Sequence, residues 1–197
     1  RRVHGGAELP HSLQEEETIQ EKSVKNLQEK KLIAQKAASL IKEKEVIFVD
    51  AGSTTAFLIK ELDRKDITVV TNSIHHAVQL VDKQIPTVII GGGVKMTTDA
   101  SIGGVALNQI NQLHFDRAFI GMNGVDEGYY TTPDMEEGAV KRAILENAKQ
   151  TYVLADSSKL GQSCFVKVAP IKRAIVITSK GHELLPAIKE KTEVIEV

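Results

Sequence analysis

The chain has 197 residues, 42% hydrophobic and 26% charged, a globular balance that excludes a disordered polypeptide and suffices for one well-buried core. Its 25 basic and 26 acidic residues are mixed along the chain and leave a net charge of -1, so these residues carry no electrostatic footprint for nucleic acid of their own. Cys164 is the only cysteine, which excludes an internal disulfide or a multi-cysteine metal site and agrees with a reducing cytoplasm; no apolar run approaches the roughly 18 residues of a membrane span.

The opening Arg1-Arg2-Val3-His4-Gly5-Gly6-Ala7 reads as the end of a linker, which predicts a further module ahead of it, residues 1–20 as linker and 21–197 as the folded domain. Leu9 to Ser23 is polar and weakly periodic. Val24, Leu27, Lys31, Leu32, Ala34, Ala37, Ala38, Leu40 and Ile41 then give a helical stripe that predicts a helix over 24–43. Strands are expected at 46–50, 67–71, 87–91, 116–121, 151–155, 173–178 and 193–197, alternating with helices at 54–62, 74–83, 102–111, 134–149 and 182–190. Short extra strands are expected at 129–132 and 164–168. The alternation predicts an α/β, Rossmann-like fold: right-handed βαβ units forming a mainly parallel sheet with helices on both faces.

Ligands in such sheets bind at the carboxyl ends of the strands. The strand Val46-Ile47-Phe48-Val49-Asp50 runs directly into Ala51-Gly52-Ser53-Thr54-Thr55. Gly52 lets the backbone approach a ligand, the three hydroxyl residues offer donors, and the following helix presents free N–H groups and a positive dipole end. Taken alone, this is equally an ordinary βα turn with a Ser/Thr cap. Four more strand ends carry ligand-type residues: Thr71-Asn72-Ser73, Gly91-Gly92-Gly93, Gly121-Met122-Asn123-Gly124-Val125-Asp126 and Asp156-Ser157-Ser158-Lys159. Five such loops on one sheet edge predict a small-molecule crevice, with Lys159 the cation for a phosphate.

Other features have plainer readings. Adjacent His75 and His76 point in different directions on a helix, which argues against a shared metal site and for a partly exposed cap region. Gly91-Gly92-Gly93 lacks the glycine spacing of a dinucleotide-binding turn, so no nicotinamide cofactor and no metal is expected. Glu136, Glu137 and Lys141 fall near a helix start, where acids complement the dipole and Lys141 can pair one turn away.

Arg2-Val3-His4-Gly5-Gly6-Ala7, the Asp50-to-Thr55 loop, Thr71-Asn72-Ser73, Ala118-Phe119-Ile120-Gly121 and Ala155-Asp156-Ser157-Ser158-Lys159 together resemble the effector-sensing domain of DeoR-family bacterial repressors, in order over nearly the whole chain. The final Thr192-Glu193-Val194-Ile195-Glu196-Val197 looks closest to fructose-operon repressors of Gram-positive bacteria. The resemblance implies an N-terminal winged helix-turn-helix domain that contacts operator DNA, a homo-oligomer, no membrane association, and a sensed sugar phosphate such as fructose 1-phosphate. It also implies that Glu136 and Lys141 face the sugar.

The family's fold is similar to that of ribose-5-phosphate isomerase, so an aldose-ketose isomerase is the competing expectation. The isomerase strand end Asp-Gly-Ala-Asp-Glu reads Ile120-Gly121-Met122-Asn123-Gly124 here, and the glutamate of its Arg-Glu-Lys reads Val140 within Ala139-Val140-Lys141. General acid-base chemistry then lacks its titratable groups unless Glu136, Glu137 or Asp126 replaces them. A third reading is an oligomerisation domain with a vestigial crevice. The favoured expectation is a non-enzymatic switch. Phosphate sits on Gly52, Ser53, Thr54 and Thr55 with Lys159, and Asp50, Asn72, Asn123 and Glu136 address sugar hydroxyls. Thr71, Ser73, Gly91, Gly92, Lys141 and Asp156 complete the expected site.

Overall fold

The computed structural model describes residues 12–197 and, ahead of them, the backbone of two short antiparallel strands, β1 (Arg2–Val3) and β2 (Gly6–Ala7). His4 and Gly5 of the opening motif, Arg1, and residues 8–11 of the expected linker lie outside the described residues. The chain continues through α1 (Ile19–Ser23), α2 (Leu27–Ser39), β3 (Val46–Val49), α3 (Ser53–Glu61), β4 (Thr68–Thr71), α4 (Ile74–Asp82) and β5 (Thr87–Ile89). A hairpin of β6 (Gly93–Lys95) and β7 (Ala100–Ile102) leads into α5 (Gly103–Ile110), β8 (Phe115–Gly121), β9 (Gly124–Val125) and β10 (Tyr129–Thr132). Then come α6 (Met135–Glu146), β11 (Ala148–Leu154), β12 (Val166–Pro170), β13 (Ile175–Thr178), α7 (Leu185–Lys189) and β14 (Val194–Glu196).

Seven strands form one all-parallel sheet in the order β14-β13-β11-β8-β3-β4-β5. Residues alternate between its faces, and both faces are apolar because both are covered. Phe48, Ala118, Ile120, Val153 and Val176 point into a core closed by Ile110 of α5, Ile144 of α6 and Ile188 of α7. Ile47, Val49, Phe119, Leu154 and Ile177 point the other way, against Ile33 of α2, Leu58 of α3 and Leu80 of α4. Phe48 meets Phe115 edge-on and Phe119 stacks on Tyr152, so each face carries an aromatic pair. Cys164 is buried and free.

The chain leaves β3 toward β4 and β5, then crosses back to place β8 on the other side of β3. That reversal leaves a gap beyond the carboxyl ends of β3 and β8, where ligands bind in doubly wound sheets. A smaller antiparallel sheet, β12-β10-β9, packs beside it. Gly124 of β9 is held there by close approach: a Cβ would lie 2.4 Å from the Gln162 carbonyl oxygen and from Thr131 Oγ1.

The expected elements appear, with shifts that have local causes. The helix expected over 24–43 is shorter because Asn26 takes a left-handed conformation ahead of α2. The strand expected over 87–91 stops at Ile89, since Gly91 N–H donates to Gln109 Oε1 instead of a neighbouring strand and Gly92 turns with a φ of 135°. The α1 helix and the β6–β7 hairpin are additions to the expected set. The expected boundary between linker and folded domain at residue 20 falls inside α1.

Candidate functional site

The crevice at the reversal has one wall built by the β3–α3 turn. Gly52 is the N-cap of α3 and provides no side-chain cap; the first intrahelical bond is Ala56 N–H to the Gly52 carbonyl, 3.0 Å. The amides of Ser53, Thr54 and Thr55 thus begin the helix as free donors at its positive end. The Ser53 and Thr54 hydroxyls make no hydrogen bond among the described residues, and both residues line the crevice. Thr55 turns inward, its Oγ1 donating to the Gly52 carbonyl at 3.0 Å and meeting His76 Nε2 at 3.2 Å. His76 also reaches the Asp50 carbonyl at 3.1 Å, and burial pushes its pKa down to about 4, so the imidazole is neutral.

The opposite wall is internally paired. Lys141 of α6 donates to Asp50 Oδ2 at 2.5 Å and to the Gly121 carbonyl at 2.9 Å, tying the ends of β3 and β8 together. Burial opposes the Lys141 charge, but Asp50 and Glu137 outweigh it and hold its pKa above the usual lysine value. Burial pushes the Asp50 carboxyl up against the pull of Lys141. Glu137 accepts from Thr98 Oγ1 at 2.6 Å and pairs with Lys95 of β6 at 3.4 Å. Burial works to raise the Glu137 pKa, yet Lys141, Thr98 and Lys95 hold it below the normal range. Lys95 also pairs with Glu16 and with Asp134, the N-cap of α6.

Cations gather at the third side. Lys159, at the end of a 3-10 turn after β11, lines the crevice, and its ammonium makes no hydrogen bond or ion pair among the described residues. Lys30 of α2 is 2% exposed, and its ammonium donates to the carbonyl of Lys22. Burial lowers the pKa of Lys30 and of Lys22, and repulsion from Lys159 adds to both shifts against the pull of Asp156 on Lys30 and of Glu16 on Lys22. The crevice mouth is crossed by the segment leading into α1, which presents Glu16, Ile19 and Lys22 inward. Backbone bonds fix it: Ile19 N–H to the Thr97 carbonyl at 2.8 Å and Phe165 N–H to the Leu13 carbonyl at 2.9 Å.

Of the expected residues, Gly52, Ser53, Thr54, Asn123, Lys141 and Lys159 line the crevice together. Asp50 and Thr55 lie just behind that lining. Asn72 is buried in service of the turn, its Oδ1 accepting from Ala51 N–H at 3.0 Å. Thr71 donates to the Val49 carbonyl at 2.7 Å, and Ser73 caps α4 while donating to Asp99. Asp156 caps the 3-10 turn and accepts from Asn26, facing the adjoining cleft with Lys30 and Lys159. Gly91 and Gly92 stand by Gln109 and Ala106 of α5, away from the crevice lining. Glu136 is exposed, and its neighbour Glu137 takes the inward position, because successive residues on a helix point about 100° apart. His76 is buried rather than partly exposed, while His75 lies at the surface beside Asp99. Asp126 is committed to the Gly128 and Tyr129 amides and the Ser163 hydroxyl, and Val140 lies in the core, so neither supplies a base. Glu16, Lys22, Lys30 and Thr98 were not anticipated. A sequence signal existed for the first two: Thr18-x-x-Glu21 is a capping box that announces α1.

An all-parallel sheet with an uncapped helix start and free cations at its reversal defines a doubly wound α/β domain of the ligand-binding kind. The chain belongs to the DeoR C-terminal sensor domain family, whose sequence profile matches residues 25–180. It is 45% identical to a Bacillus subtilis protein named as the uncharacterized HTH-type transcriptional regulator FruR, over 98% of this chain and 78% of that one. It is 30% identical to the lactose phosphotransferase system repressor of Staphylococcus epidermidis, over 99% of this chain and 77% of the relative. Among solved structures, ribose 5-phosphate isomerase A of Methanocaldococcus jannaschii superposes with a TM-score of 0.51 at 23% identity. That superposition covers 68% of this chain and about half, 55%, of the isomerase; it speaks to the fold alone.

Proposed function

We propose that this domain senses a phosphorylated sugar, fructose 1-phosphate being the first choice, and reports its presence to an operator-binding domain N-terminal to it in a cytoplasmic homo-oligomeric repressor. The observation that carries the reading is the uncapped start of α3 facing the unpaired Lys159 ammonium. Free amides, hydroxyls and a cation converging on one point are the requirements of a phosphate monoester. In this reading phosphate takes the Ser53 and Thr54 amides with Lys159, while Asn123, Lys141 and Glu137 address the sugar hydroxyls. Relatives named as transcriptional regulators support a sensor over an enzyme. So does the site's chemistry, since Asp50 is held in a pair with Lys141, Glu137 in a pair with Lys95, and Asn123 cannot titrate near neutrality. Binding is then the whole event, and the effector shifts the population of subunit arrangements that fit the operator.

A thermal-shift comparison of fructose and fructose 1-phosphate tests this. At ligand about 100-fold above Kd the phosphate ester adds roughly 2.7 kcal/mol and several degrees of Tm, and the free sugar adds little. Equal shifts from both refute the phosphate reading, and NMR-detected isomerisation of ribose 5-phosphate or fructose 6-phosphate refutes the non-enzymatic one.

A further inference from the structure

Two side chains of the segment crossing the crevice mouth are left incomplete by the protein itself. Glu16 Oε2 pairs with Lys95, but Glu16 Oε1 is buried and has no hydrogen-bond donor. The Glu137 carboxyl beside it is an acceptor as well, and burial together with that neighbour raises the Glu16 pKa. Further along, in α1, the Lys22 ammonium lines the same crevice and makes no hydrogen bond or ion pair among the described residues. Its backbone carbonyl, by contrast, is used, accepting from Lys30. A buried acceptor without a donor carries a standing cost, and so does a desolvated cation that Glu16 and Glu137 attract but that no anion meets in a direct ion pair. Both are aimed at one cavity from one short segment, whose backbone is pinned to Thr97 and Phe165 independently of either side chain.

We propose that this segment, residues 16–22, is a wall of the effector site rather than a passive connector: Glu16 accepts a sugar hydroxyl and Lys22 meets the phosphate. The proposal rests on the sugar-phosphate reading and extends it to the stretch that precedes the sheet-and-helix body in the chain. A hydroxyl supplies the donor that Glu16 Oε1 lacks, and a phosphate oxygen supplies the direct ion pair that the Lys22 ammonium lacks. The effector therefore fastens the segment more tightly to the crevice. Occupancy is transmitted toward the N-terminus through α1 without any rearrangement of the sheet.

The test is titration calorimetry of this chain with fructose 1-phosphate, fructose 6-phosphate and ribose 5-phosphate, followed by amide hydrogen exchange with the tightest of them. Lys22→Ala is expected to weaken binding about tenfold or more, with Lys22→Arg restoring most of it. Glu16→Gln is expected to weaken it about fivefold, because the new amide can donate to Glu137 and satisfy the pair without ligand. Saturating ligand slows exchange over residues 16–24 in the wild type and loses that effect in Lys22→Ala. Unaltered affinity in both Lys22→Ala and Glu16→Gln, or exchange over 16–24 that stays constant or quickens with ligand, overturns the proposal. If Lys159→Ala abolishes binding while the two segment variants bind as wild type does, the sensor reading stands and this extension fails. Absence of binding by all three esters to the wild type overturns both.

Discussion

The two walls of the crevice treat their polar groups in opposite ways. On the α6 side Asp50 is bonded to Lys141, and Glu137 to Thr98 and Lys95, so charge buried at the sheet reversal is compensated before any ligand arrives. On the α3 side the Ser53 and Thr54 amides and hydroxyls and the Lys159 ammonium face the same space without protein partners among the described residues. The first wall holds β3 and β8 in position and pre-orients hydroxyl-reading groups. The second keeps its donors for an anion. Substitutions should therefore divide cleanly into those that cost stability and those that cost affinity.

The strongest way to break the comparison is Lys141→Met, which strands the Asp50 carboxylate in the interior. A loss of about 3–5 kcal/mol is expected in urea unfolding, because one partner of a buried ion pair is left uncompensated. Adding Asp50→Asn should return part of that loss. If Lys141→Met unfolds at the wild-type midpoint, the paired wall is not structural.

Acid should act on the paired framework through His76. Its pKa is near 4 in the folded protein against 6.5 for the free side chain, so the unfolded chain binds more protons between those values and stability falls as pH drops through that window. The contribution, about 3 kcal/mol, is fully present above pH 6.5 and exhausted below about 4. His76→Gln should flatten the pH dependence of the unfolding midpoint over that range; an unchanged slope would assign it to other groups.

On the open wall, Lys159→Ala should leave the unfolding curve where it is and reduce sugar-phosphate affinity by about ten- to a hundredfold, the worth of a charge-assisted contact of about 1.5–3 kcal/mol. Calorimetry giving wild-type affinity would move the phosphate elsewhere. The smallest effect sharpens the comparison most: Glu136→Ala, at an exposed position, should change stability by less than about 0.5 kcal/mol and leave affinity intact. A clear loss of affinity there would mean that α6 presents a different face to the ligand.

Much of this arrangement was legible in the residues. Short β-branched runs such as Val46–Val49 and Ile175–Thr178, spaced by amphipathic helices, specify a parallel sheet, and the rule that ligands sit at carboxyl strand ends picked out the Gly52–Thr55 turn. What was not legible depended on long-range contact. The β6–β7 hairpin has no alternating pattern, since Gly93 and Val94 are exposed and its tip is shaped by Thr98 and Asp99 reaching Glu137 and Ser73. Glu136 and Glu137 differ in sequence by nothing but phase, and one residue of helix phase decides which enters the crevice. Lys30 looks like any surface lysine of α2 until Lys22 closes over it.

The open wall itself is tested most directly by a 15N-1H correlation spectrum of this chain titrated with fructose 1-phosphate. The account predicts that the largest shifts fall on the amides of Gly52, Ser53, Thr54 and Lys159, that Gly91 and Gly92 stay in place, and that fructose reproduces none of this. Shifts centred on Gly91 and Gly92, or equal responses to the free sugar, would contradict it.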